Sequence, residues 1–427
     1  MKVFGHVSLR AIQPRVMKRL NQLSLLTLIR EQGPISRAGL AKLSRLSKPT
    51  VSAQVESLIE KRLVSETGVG ESGKRGGKKP THLEFNAGYG CLGVGEIDPL
   101  EIRLAVTDLN GSILAQAQFP TDTQLGPASV IGKLKYGLSQ LLKQSGQTER
   151  FCQMAIAGPG RVDVRQGVIL EAGNLFNWQN VPVAAPLAGL SKVPVLVDNV
   201  VNLAALAEMH HGSAQGVQDF VLLRHDTGIG CGVVLGGKLH RGSNWAAGEI
   251  AHFILDLNQA GEDWTPRGYL ELQVGADRLA ERLREMQAFR GALPRFLDGG
   301  SEVSALFRAR QHGFVPAQKV ASGLAVQLGV AISHVAATYD PSLIVLQGEI
   351  FPPLFEEIAQ VVKRAVPWLP RLALSKLGKD AGLRGAIVAA RAQAYEEMAK
   401  ALSEGAMRPR KAAELEFELA EPVRLSS

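Results

Sequence analysis

The chain has 427 residues, of which 45% are hydrophobic and 21% are charged, so it can form two or three domains that each bury a core. Its start, Met1-Lys2-Val3-Phe4, lacks the apolar segment of a signal peptide, and no apolar run reaches the roughly 18 residues of a membrane span. The three cysteines, Cys91, Cys152 and Cys231, lie too far apart for a disulfide framework. We therefore expect a cytoplasmic protein that does not enter a membrane.

Positive charge is concentrated at the N-terminus. Residues 1–80 contain 16 Lys and Arg against 5 Glu and no Asp, a net charge of +11, whereas the whole chain carries +8. The remaining residues therefore carry −3, the difference between +8 and +11. A basic N-terminal unit joined to a mildly acidic body favours a polyanion-binding head, with a solvated basic surface as the alternative.

Helical periodicity begins after residues 1–15, which we expect to be a flexible arm. A first helix is indicated by apolar residues at helical spacing, and Gly33-Pro34 ends it. These apolar residues are Val16, Leu20, Leu23, Leu26 and Ile29.

Two capping serines predict two further helices. Ser36 can cap a helix from Arg37 to Leu43, whose two leucines are expected to face inward. Ser47 can cap a third helix, and its first turn tolerates Pro49 because the missing N–H costs little there. Val51, Val55, Leu58 and Ile59 are expected to form the apolar stripe of this third helix.

Two strands joined by a basic loop follow these helices. Leu63-Val64 and Thr81 to Phe85 are predicted strands, and a segment rich in Gly, Lys and Arg connects them. This order indicates a winged helix-turn-helix over residues 16–85, whose third helix enters the DNA major groove; a helical interaction module with a basic linker is the alternative. The residues expected to contact bases or phosphates are Arg37, Ser47, Lys48, Thr50, Ser52 and Gln54 on the helices and Lys74, Arg75, Lys78 and Lys79 on the wing.

Strands and helices alternate in the rest of the chain, which predicts a mixed α/β body with two lobes and a ligand at the strand ends. The predicted strands are 102–106, 112–119, 154–157, 193–197, 220–223 and 343–346, and the predicted helices are 130–142, 203–210, 320–339 and 386–398. Residues 399–427 are expected to be a solvated tail, although the alternation over 414–419 also fits an edge strand.

The stretch from Asp226 to Glu271 carries the polar residues of a candidate site. It opens with the glycine-rich turn Thr227-Gly228-Ile229-Gly230, which suits close approach of a small ligand to the backbone. Glu249 and His252 are three residues apart and share one face of a helical turn. Such a pair can grip a polyol or serve as acid and base, or it can simply hold a loop in place.

Several motifs together resemble those of the ROK family (repressors, open reading frames and sugar kinases), in its DNA-binding branch. The resemblance covers roughly residues 16–396. The motifs are 36–64, Ala157-Gly158-Pro159-Gly160, Asn174-Leu175-Phe176-Asn177-Trp178, Asp198-Asn199 to Glu208, Thr227-Gly228-Ile229-Gly230 and Ala247-Gly248-Glu249-Ile250-Ala251-His252.

The resemblance implies a fold of the α/β class, with an actin-like, hexokinase-like two-lobed body behind an α-rich winged helix-turn-helix domain. Residues 86–200 would form a small lobe. Residues 201–398 would form a large lobe whose final helix returns to the small lobe, and 399–427 would be the tail. The cleft between the lobes would bind a sugar or sugar derivative.

Two kinase motifs of the family are altered in this chain. The family's phosphate-binding Asp-x-Gly-x-Thr turn corresponds to residues 96–100, where Asp98 replaces the glycine and Leu100 the threonine. Bulk and negative charge there disfavour phosphate. The family's catalytic aspartate corresponds to Val200, which cannot take a proton. We therefore expect no enzyme activity, and a ROK sugar kinase with an accessory DNA-binding head is the alternative.

The zinc site of many family members is also incomplete. It uses a histidine, which here is His252, and three cysteines, whereas residues 256–269 contain no cysteine and Tyr269 stands where the last would be. A single histidine with nearby acids is a poor tetrahedral zinc site. We expect neither a metal nor a cofactor.

What the resemblance leaves is a grip for a sugar. It implies that Asn199, Glu249, His252 and Glu271 hydrogen-bond sugar hydroxyls, while backbone around Gly158 lines the other side of the cleft. Planar amides and carboxylates suit polyol recognition. We predict a sugar-responsive regulator, a repressor rather than an activator, that binds double-stranded operator DNA as a homodimer, with a tetramer as the alternative. A DNA-binding scaffold with a vestigial cleft is a further alternative.

Overall fold

The computed structural model describes residues 14–69, 81–190 and 193–404. The predicted arm before residue 14 and the tail beyond residue 404 lie outside these ranges, as do the wing residues Lys74, Arg75, Lys78 and Lys79. Two predicted boundaries shift. Pro14 already begins the first helix, and the final helix continues to Glu404 instead of ending at residue 398.

The head, residues 14–69 and 81–85, combines helices with a small sheet, as the winged helix-turn-helix prediction requires. Its helices are α1 (Pro14–Gln32), α2 (Arg37–Ser44) and α3 (Lys48–Glu60). Its strands are β1 (Ile35–Ser36), β2 (Val64–Val69) and β3 (Thr81–Phe85), in the sheet order β1-β3-β2. The predicted caps are confirmed, because the Ser36 and Ser47 hydroxyls accept hydrogen bonds from the N–H groups of Gly39 (3.1 Å) and Thr50 (3.3 Å).

Fewer apolar residues of the head are buried than the sequence pattern predicted. Leu40 is fully buried, but Leu43 is exposed, so the prediction that both leucines of α2 face inward was wrong. Val16 and Leu20 are also exposed near the start of α1. These positions share helical periodicity with the core residues, but α1 and α2 extend beyond the elements that could cover them. The buried core of the head consists of Leu25, Leu26, Ile29, Leu40, Val51, Val55, Leu58, Leu63, Val64 and Leu83.

The first lobe is built on a mixed sheet. Its strands are β4 (Cys91–Ile97), β5 (Glu101–Asp108), β6 (Ile113–Pro120), β7 (Phe151–Gly158) and β11 (Val195–Asn199), in the order β11-β7-β4-β5-β6. Helix α4 (Gly126–Gln144) covers one face of this sheet. The final helix, α13 (Ala381–Glu404), covers the other face. The central strand β4 is buried along its whole length because both faces are covered.

A small accessory sheet and a short helix complete the first lobe. The accessory strands are β8 (Arg161–Asp163), β9 (Val168–Glu171) and β10 (Gln179–Pro182), in the order β10-β9-β8, and the helix is α5 (Ala184–Ala188).

The second lobe repeats the arrangement of a five-stranded sheet with helices. Its strands are β12 (Phe220–His225), β13 (Ile229–Leu235), β14 (Lys238–His240), β15 (Leu343–Gln347) and β16 (Arg371–Leu374), in the order β14-β13-β12-β15-β16. Its helices are α6 (Val200–His211), α7 (Tyr269–Val274), α8 (Ala276–Glu285), α9 (Pro294–Leu297), α10 (Glu302–Gln311), α11 (Val315–Tyr339) and α12 (Phe351–Ala365).

Helix α11 is long and apolar enough to cross a membrane, judged by length and composition alone. In the structure, 56% of its most apolar window is buried, and it packs against α12 and α10 in the core of the second lobe. A core helix of a folded body passes the same test of length and hydropathy, so this helix does not indicate a membrane span.

Helix α13 links all parts of the molecule, as the predicted return of the final helix to the first lobe requires. It packs against β4 and β7 of the first lobe and against α6. Its C-terminal half packs against α1 of the head. One apolar cluster therefore runs from the head through the first-lobe sheet into α13.

Candidate functional site

A solvent-open cleft lies between the two lobes. It forms where several strands end, which is where ligands bind in open α/β sheets. The loop after β4, the turn after β7, the start of α6 and the turn between β12 and β13 all contribute to its wall. The main polar side chains that line it are Asp98, Arg161, Glu171, Asn174, Asn199, Arg224, Asp226, Thr227, Glu249, His252, Arg267 and Glu271.

Glu249 supplies an uncommitted carboxylate to this cleft. It directly precedes a short 3₁₀ turn, Ile250–His252, so Glu249 and His252 both face the cleft as their spacing predicted. Among the described residues, no hydrogen bond or ion pair involves the Glu249 carboxylate. Burial and, to a smaller extent, the nearby Glu271 raise the pKa of Glu249 to about 7. A half-buried acceptor without a partner is suited to bind a ligand that brings its own hydroxyl donors.

Glu271 also lines the cleft, but the protein already engages its carboxylate. One oxygen accepts a hydrogen bond from Arg267 Nε (2.7 Å), and the other accepts one from the N–H of Ile229 (3.3 Å). Arg267 is held in turn by Asp277, through hydrogen bonds of 2.6 and 2.9 Å. Burial raises the pKa of Glu271, while Arg267 opposes that shift. Each oxygen keeps a lone pair, so Glu271 can still accept from a ligand while Arg267 fixes its orientation.

Asn199 fixes the first turn of α6. Its side-chain oxygen accepts from the N–H groups of Val201 (2.7 Å) and Asn202 (3.2 Å), which makes it the N-cap of the helix. Its amide donates to the carbonyl of Gly160 (2.6 Å). One amide hydrogen therefore remains for a ligand, so Asn199 is a weaker candidate for recognition than Glu249.

The predicted wall around Gly158 is formed by its neighbours Pro159 and Gly160. Gly158 ends β7 opposite Asn199 in the parallel pairing of β7 with β11. A side chain at Gly158 would collide with Ile169, because its Cβ would lie 2.8 Å from Ile169 Cδ1. Gly158 therefore faces the interior, and Pro159 and Gly160 form the wall of the cleft instead.

The position expected to correspond to the family's catalytic base holds an aliphatic residue. Val200 lines the cleft with an aliphatic side chain. The neighbouring acid, Asp198, is buried and binds Arg241 through hydrogen bonds of 3.0 and 2.6 Å. Asp198 also accepts a hydrogen bond from Asn202 and is not part of the cleft wall.

A buried ion network lies behind the altered phosphate turn. Glu96 has no exposed surface and accepts from Arg103 Nη2 (2.7 Å) and from the guanidinium of Arg224 (3.4 Å). Arg224 also donates to Asp226 (3.1 Å). Asp98 lies beside this network, and its carboxylate accepts a hydrogen bond from the N–H of Leu100 (2.9 Å). Burial raises the pKa of Asp98 to about 6.

Aromatic rings pack the region that corresponds to the zinc site of many family members. Tyr269 is buried and meets Trp264 edge to face at 5.1 Å between centroids. Within the described ranges, no group of three or more His, Cys, Asp or Glu side chains could hold a metal ion. The absence of zinc stays a prediction that rests on the missing cysteines.

The head exposes part of the predicted DNA-contacting set. Ser47, Lys48 and Ser52 are exposed on α3, and Thr50 is partly exposed and bonded to the Ser47 hydroxyl. Gln54 is only 8% exposed, so the prediction that it reaches the DNA surface was wrong. Its position faces the core side of α3, beside Val55.

Arg37 is engaged within the head. It forms ion pairs with Glu66 and, at 3.5 Å, with Glu56. Contact of Arg37 with a phosphate would therefore require it to leave these two carboxylates.

The functional residues that sequence reasoning missed are the arginines of the cleft region. Arg161 and Glu171 pair at 3.5 Å, and Arg224, Arg241 and Arg267 each hold a carboxylate named above. Except for Arg267 and Glu271, which are four residues apart, the partners have no helical spacing to signal the pairing.

Comparison with known proteins places the two parts of the chain separately. The ROK family model matches residues 90–393, and the MarR family model matches residues 19–67. The chain is 28% identical over 381 residues to the xylose repressor of Bacillus spizizenii, covering 86% of this chain and 94% of that protein. It is also 29% identical over 299 residues to a glucokinase of Halalkalibacterium halodurans, covering 66% of this chain and 90% of that protein.

A solved ROK family transcriptional regulator, described as a homolog of the E. coli MLC protein, has the same fold. Its TM-score is 0.73 at 24% identity, and the match covers 91% of this chain and 99% of that one. The similarity therefore includes the head as well as the two-lobed body. With a ROK domain over most of its length and a MarR-type winged helix in front of it, this chain belongs to the ROK family.

Proposed function

We propose that this protein is a sugar-responsive transcriptional repressor of carbohydrate genes, with a catalytically inactive sugar-kinase cleft as its sensor. The observation that carries the proposal is Glu249, a half-buried carboxylate without a protein partner, in a cleft whose body is packed against a DNA-binding head. The repressor names among its relatives support the same reading. We further propose that it binds a two-fold operator as a homodimer.

The proposal is tested by measuring sugar-dependent operator binding. Operator duplexes are selected from a random pool and labelled, and their affinity is measured by fluorescence anisotropy with and without D-xylose, D-glucose or N-acetyl-D-glucosamine. At least one sugar is expected to bind the protein and weaken operator binding, which requires unequal affinity for the two states. A sugar that binds but leaves operator affinity unchanged would contradict the coupling.

Absence of kinase activity is part of the proposal. Val200 cannot act as base, Asp198 is neutralised by Arg241, and Asp98 occupies the altered phosphate turn. The kinase alternative has a specific basis in the similarity to a glucokinase. An ATP-dependent phosphorylation screen over hexoses, N-acetylhexosamines and pentoses decides between the two, and turnover of any of them would refute the sensor-only proposal.

Lys48 provides the first quantitative prediction. It is exposed at the start of α3, where it can neutralise a phosphate. Lys48→Ala is expected to weaken operator binding and to reduce the slope of log affinity against log salt by about one unit. Salt titrations of operator binding measure both effects. Lys143→Ala, on α4 of the first lobe, is the matched loss of a lysine and should leave the slope unchanged; an unchanged slope for Lys48→Ala would mean that α3 is misassigned.

Helix α13 physically connects the cleft with the head. At its start, Gly382 approaches Val200 so closely that a Cβ would lie 2.7 Å from Val200 Cγ2. Near its end, the carbonyl of Ser403 accepts a hydrogen bond from Arg19 of α1 (2.7 Å). The guanidinium of Arg30 lies 4.2 Å from the ring centroid of Tyr395. We propose that a shift of α13 transmits sugar binding to α1.

Removing the two arginine contacts of α1 with α13 is expected to uncouple sugar binding in the cleft from operator binding by the head. In Arg19→Ala/Arg30→Ala, the sugar should bind as before, whereas the ratio of operator affinities without and with sugar should fall several-fold, since coupling energies are typically about 1–3 kcal/mol. Calorimetry and anisotropy measure the two quantities. Lys18→Ala/Lys42→Ala removes the same charge from exposed positions of α1 and α2 and should keep the ratio. Equal ratios in both double variants would exclude this route.

A further inference from the structure

The cleft has two chemically different ends. Glu249 and Glu271 lie at one end, with Arg161 and Glu171 close enough to influence Glu249. The part of the wall around Asp98, which we call the Asp98 end, includes its neighbours Ile97 and Pro99 and the residues Arg224 and Asp226, which influence Asp98 electrostatically. Val200 belongs to this end because Val200 and Glu96 both approach Gly382 to within 2.7 Å of its Cβ position.

Among the described residues, the carboxylate of Asp98 has no ion-pair partner. Arg224, which also lines the cleft, already binds buried Glu96 (3.4 Å) and Asp226 (3.1 Å). Arg103, the second cation of this network, pairs with Glu96, Glu101 and Asp380 instead. The Asp98 end therefore presents a carboxylate that no cation of the described residues binds in an ion pair, although Arg224 acts on it electrostatically.

The position of Asp98 is fixed by the hairpin that joins β4 to β5. Its side chain accepts from the N–H of Leu100, its N–H donates to the carbonyl of Glu101 (3.0 Å), and its carbonyl accepts from the hydroxyl of Thr121. Pro99 follows it directly and restricts the backbone further. Asp98 cannot easily turn away from an incoming anion, so a phosphate ester there would face a fixed like charge in a partly buried site.

We infer that the cleft takes a sugar without a phosphate group, and that Asp98 is the residue that rejects phosphorylated sugars. The inference rests on the proposed sensor function and adds the chemical class of the effector. A sugar hydroxyl can donate to Asp98, and the aliphatic side chain of Val200 accommodates an uncharged carbon. A phosphate dianion would have to enter beside Asp98 and Asp226, which influence each other electrostatically.

The charge of Asp98 persists under ordinary conditions. Burial raises its pKa to about 6, with Asp226 adding to the shift and Arg224 opposing it. At pH 8 the carboxylate is therefore ionised, and a sugar phosphate is a dianion at the same pH because the second pKa of a phosphate ester is about 6. Discrimination is best measured at that pH.

The test compares each sugar with its phosphate ester on the full chain. Calorimetric titrations at pH 8 use D-glucose with glucose 6-phosphate, and N-acetyl-D-glucosamine with N-acetylglucosamine 6-phosphate, with D-xylose as a pentose probe. Wild-type protein is expected to bind at least one unphosphorylated sugar, and any phosphate ester of that sugar at least about 30-fold more weakly. Asp98→Asn keeps an acceptor for the Leu100 N–H and should reduce this discrimination about tenfold, which is 1.4 kcal/mol.

Asp298→Asn is the matched control. Asp298 is exposed, far along the chain from the cleft, and in a left-handed conformation that asparagine tolerates. This variant loses the same charge and should discriminate like the wild type. Asp98→Ser serves as the second variant if Asp98→Asn does not fold.

Three outcomes separate this inference from the proposed function. A wild-type protein that binds the phosphate ester as tightly as the sugar would overturn the inference but preserve the sensor function. Equal discrimination in the wild type and both Asp98 variants would remove Asp98 as its cause. Failure of every sugar and every ester to bind would overturn the proposed function, and this inference with it.

Discussion

Replacing Glu249 with glutamine is expected to abolish the response to sugar while leaving operator binding in the absence of sugar intact. The charged acceptor at this position is half-buried and has no partner among the described residues, so the ligand supplies its hydrogen bonds. Hydrogen bonds to a charged group contribute about 1.5–3 kcal/mol each, and glutamine keeps only one acceptor oxygen. We expect sugar binding to weaken about 100-fold, equal to about 2.7 kcal/mol.

Calorimetry with the best sugar of the panel measures this loss, and anisotropy measures operator binding. Glu262→Gln is the matched control, because Glu262 is exposed in the loop between the 3₁₀ turn Leu257–Gln259 and α7 and is not part of the cleft wall. The control should bind sugar like the wild type. A sugar affinity of Glu249→Gln within threefold of the wild type would show that Glu249 only maintains the local structure.

The same carboxylate predicts how sugar affinity depends on pH. Because burial and Glu271 raise the pKa of Glu249 to about 7, the ionised acceptor forms mainly above pH 7. A ligand that donates to the ionised form should bind more weakly as the pH falls through 7, by about tenfold per unit well below it, and its binding near pH 7 should release protons. Titrations in buffers of different ionisation enthalpy measure that release. Glu249→Gln should release none, and stronger binding at low pH would mean that the protonated carboxyl is the recognising form.

The folded protein binds this proton more tightly than the unfolded chain does. Glu249 therefore contributes most to stability below its ordinary pKa of 4.5, and this contribution is lost as the pH rises toward 7. Burying an unpartnered carboxylate thus costs the free protein stability at neutral pH. A bound sugar that donates to the carboxylate offsets part of that cost.

The elements of the fold could be predicted because local signals and tertiary packing agree. Ser36 and Ser47 cap helices where the sequence pattern placed caps, and the buried strand β15 follows α11 as predicted. The signals failed where periodicity continued past the available partners. Leu43 has the right spacing and no element to cover it, whereas Gln54 is polar and faces the core side of its helix.

The acidic residues of the candidate site could be predicted from the sequence, but the side chains that bind and orient them could not. Glu249 and His252 are close in sequence, so their common side could be read from spacing. The hydrogen bond between Asp198 and Arg241 joins residues that are 43 apart in sequence. Only the tertiary fold, which places the start of α6 beside the end of β14, brings them together. Gly158 itself faces Ile169, while its neighbours Pro159 and Gly160 line the cleft, because the alternation of a buried strand decides which side of it faces the cleft.

The domain boundaries at residues 85 and 200 remain predictions for a physical reason. Leu25 of the head, Val94 of the first lobe and Ala390 of α13 belong to one apolar cluster. A boundary is clearest where few contacts cross it. Here the packing that would transmit a signal from the cleft to the head also joins the units that the boundary separates.

Glu96→Gln is expected to destabilise the body by about 3–5 kcal/mol, the cost of leaving buried charges without their partner. Glu96 is 0% exposed and lies between two arginines of different elements, Arg103 of β5 and Arg224 of β12. It also touches the start of α13, where a Cβ on Gly382 would lie 2.7 Å from Glu96 Oε1. The Glu96 carboxylate therefore joins the first lobe, the second lobe and α13. A neutral glutamine amide in its place would leave the guanidinium groups of Arg103 and Arg224 competing for one uncharged acceptor.

The thermal midpoint of the body should fall by roughly 4–8 °C, since an unfolding entropy of about 2.1 cal/mol/K per residue makes 1 kcal/mol correspond to about 1.5 °C in a body of this length. Glu66→Gln is the matched control, because Glu66 pairs with Arg37 at the surface, where such pairs contribute about 0–1 kcal/mol. If uncompensated charge is the cause, Glu96→Gln/Arg224→Met should recover part of the loss, because removing both members of a buried pair is often nearly neutral. A double variant less stable than Glu96→Gln would instead mean that Arg224 supports the fold mainly through Asp226.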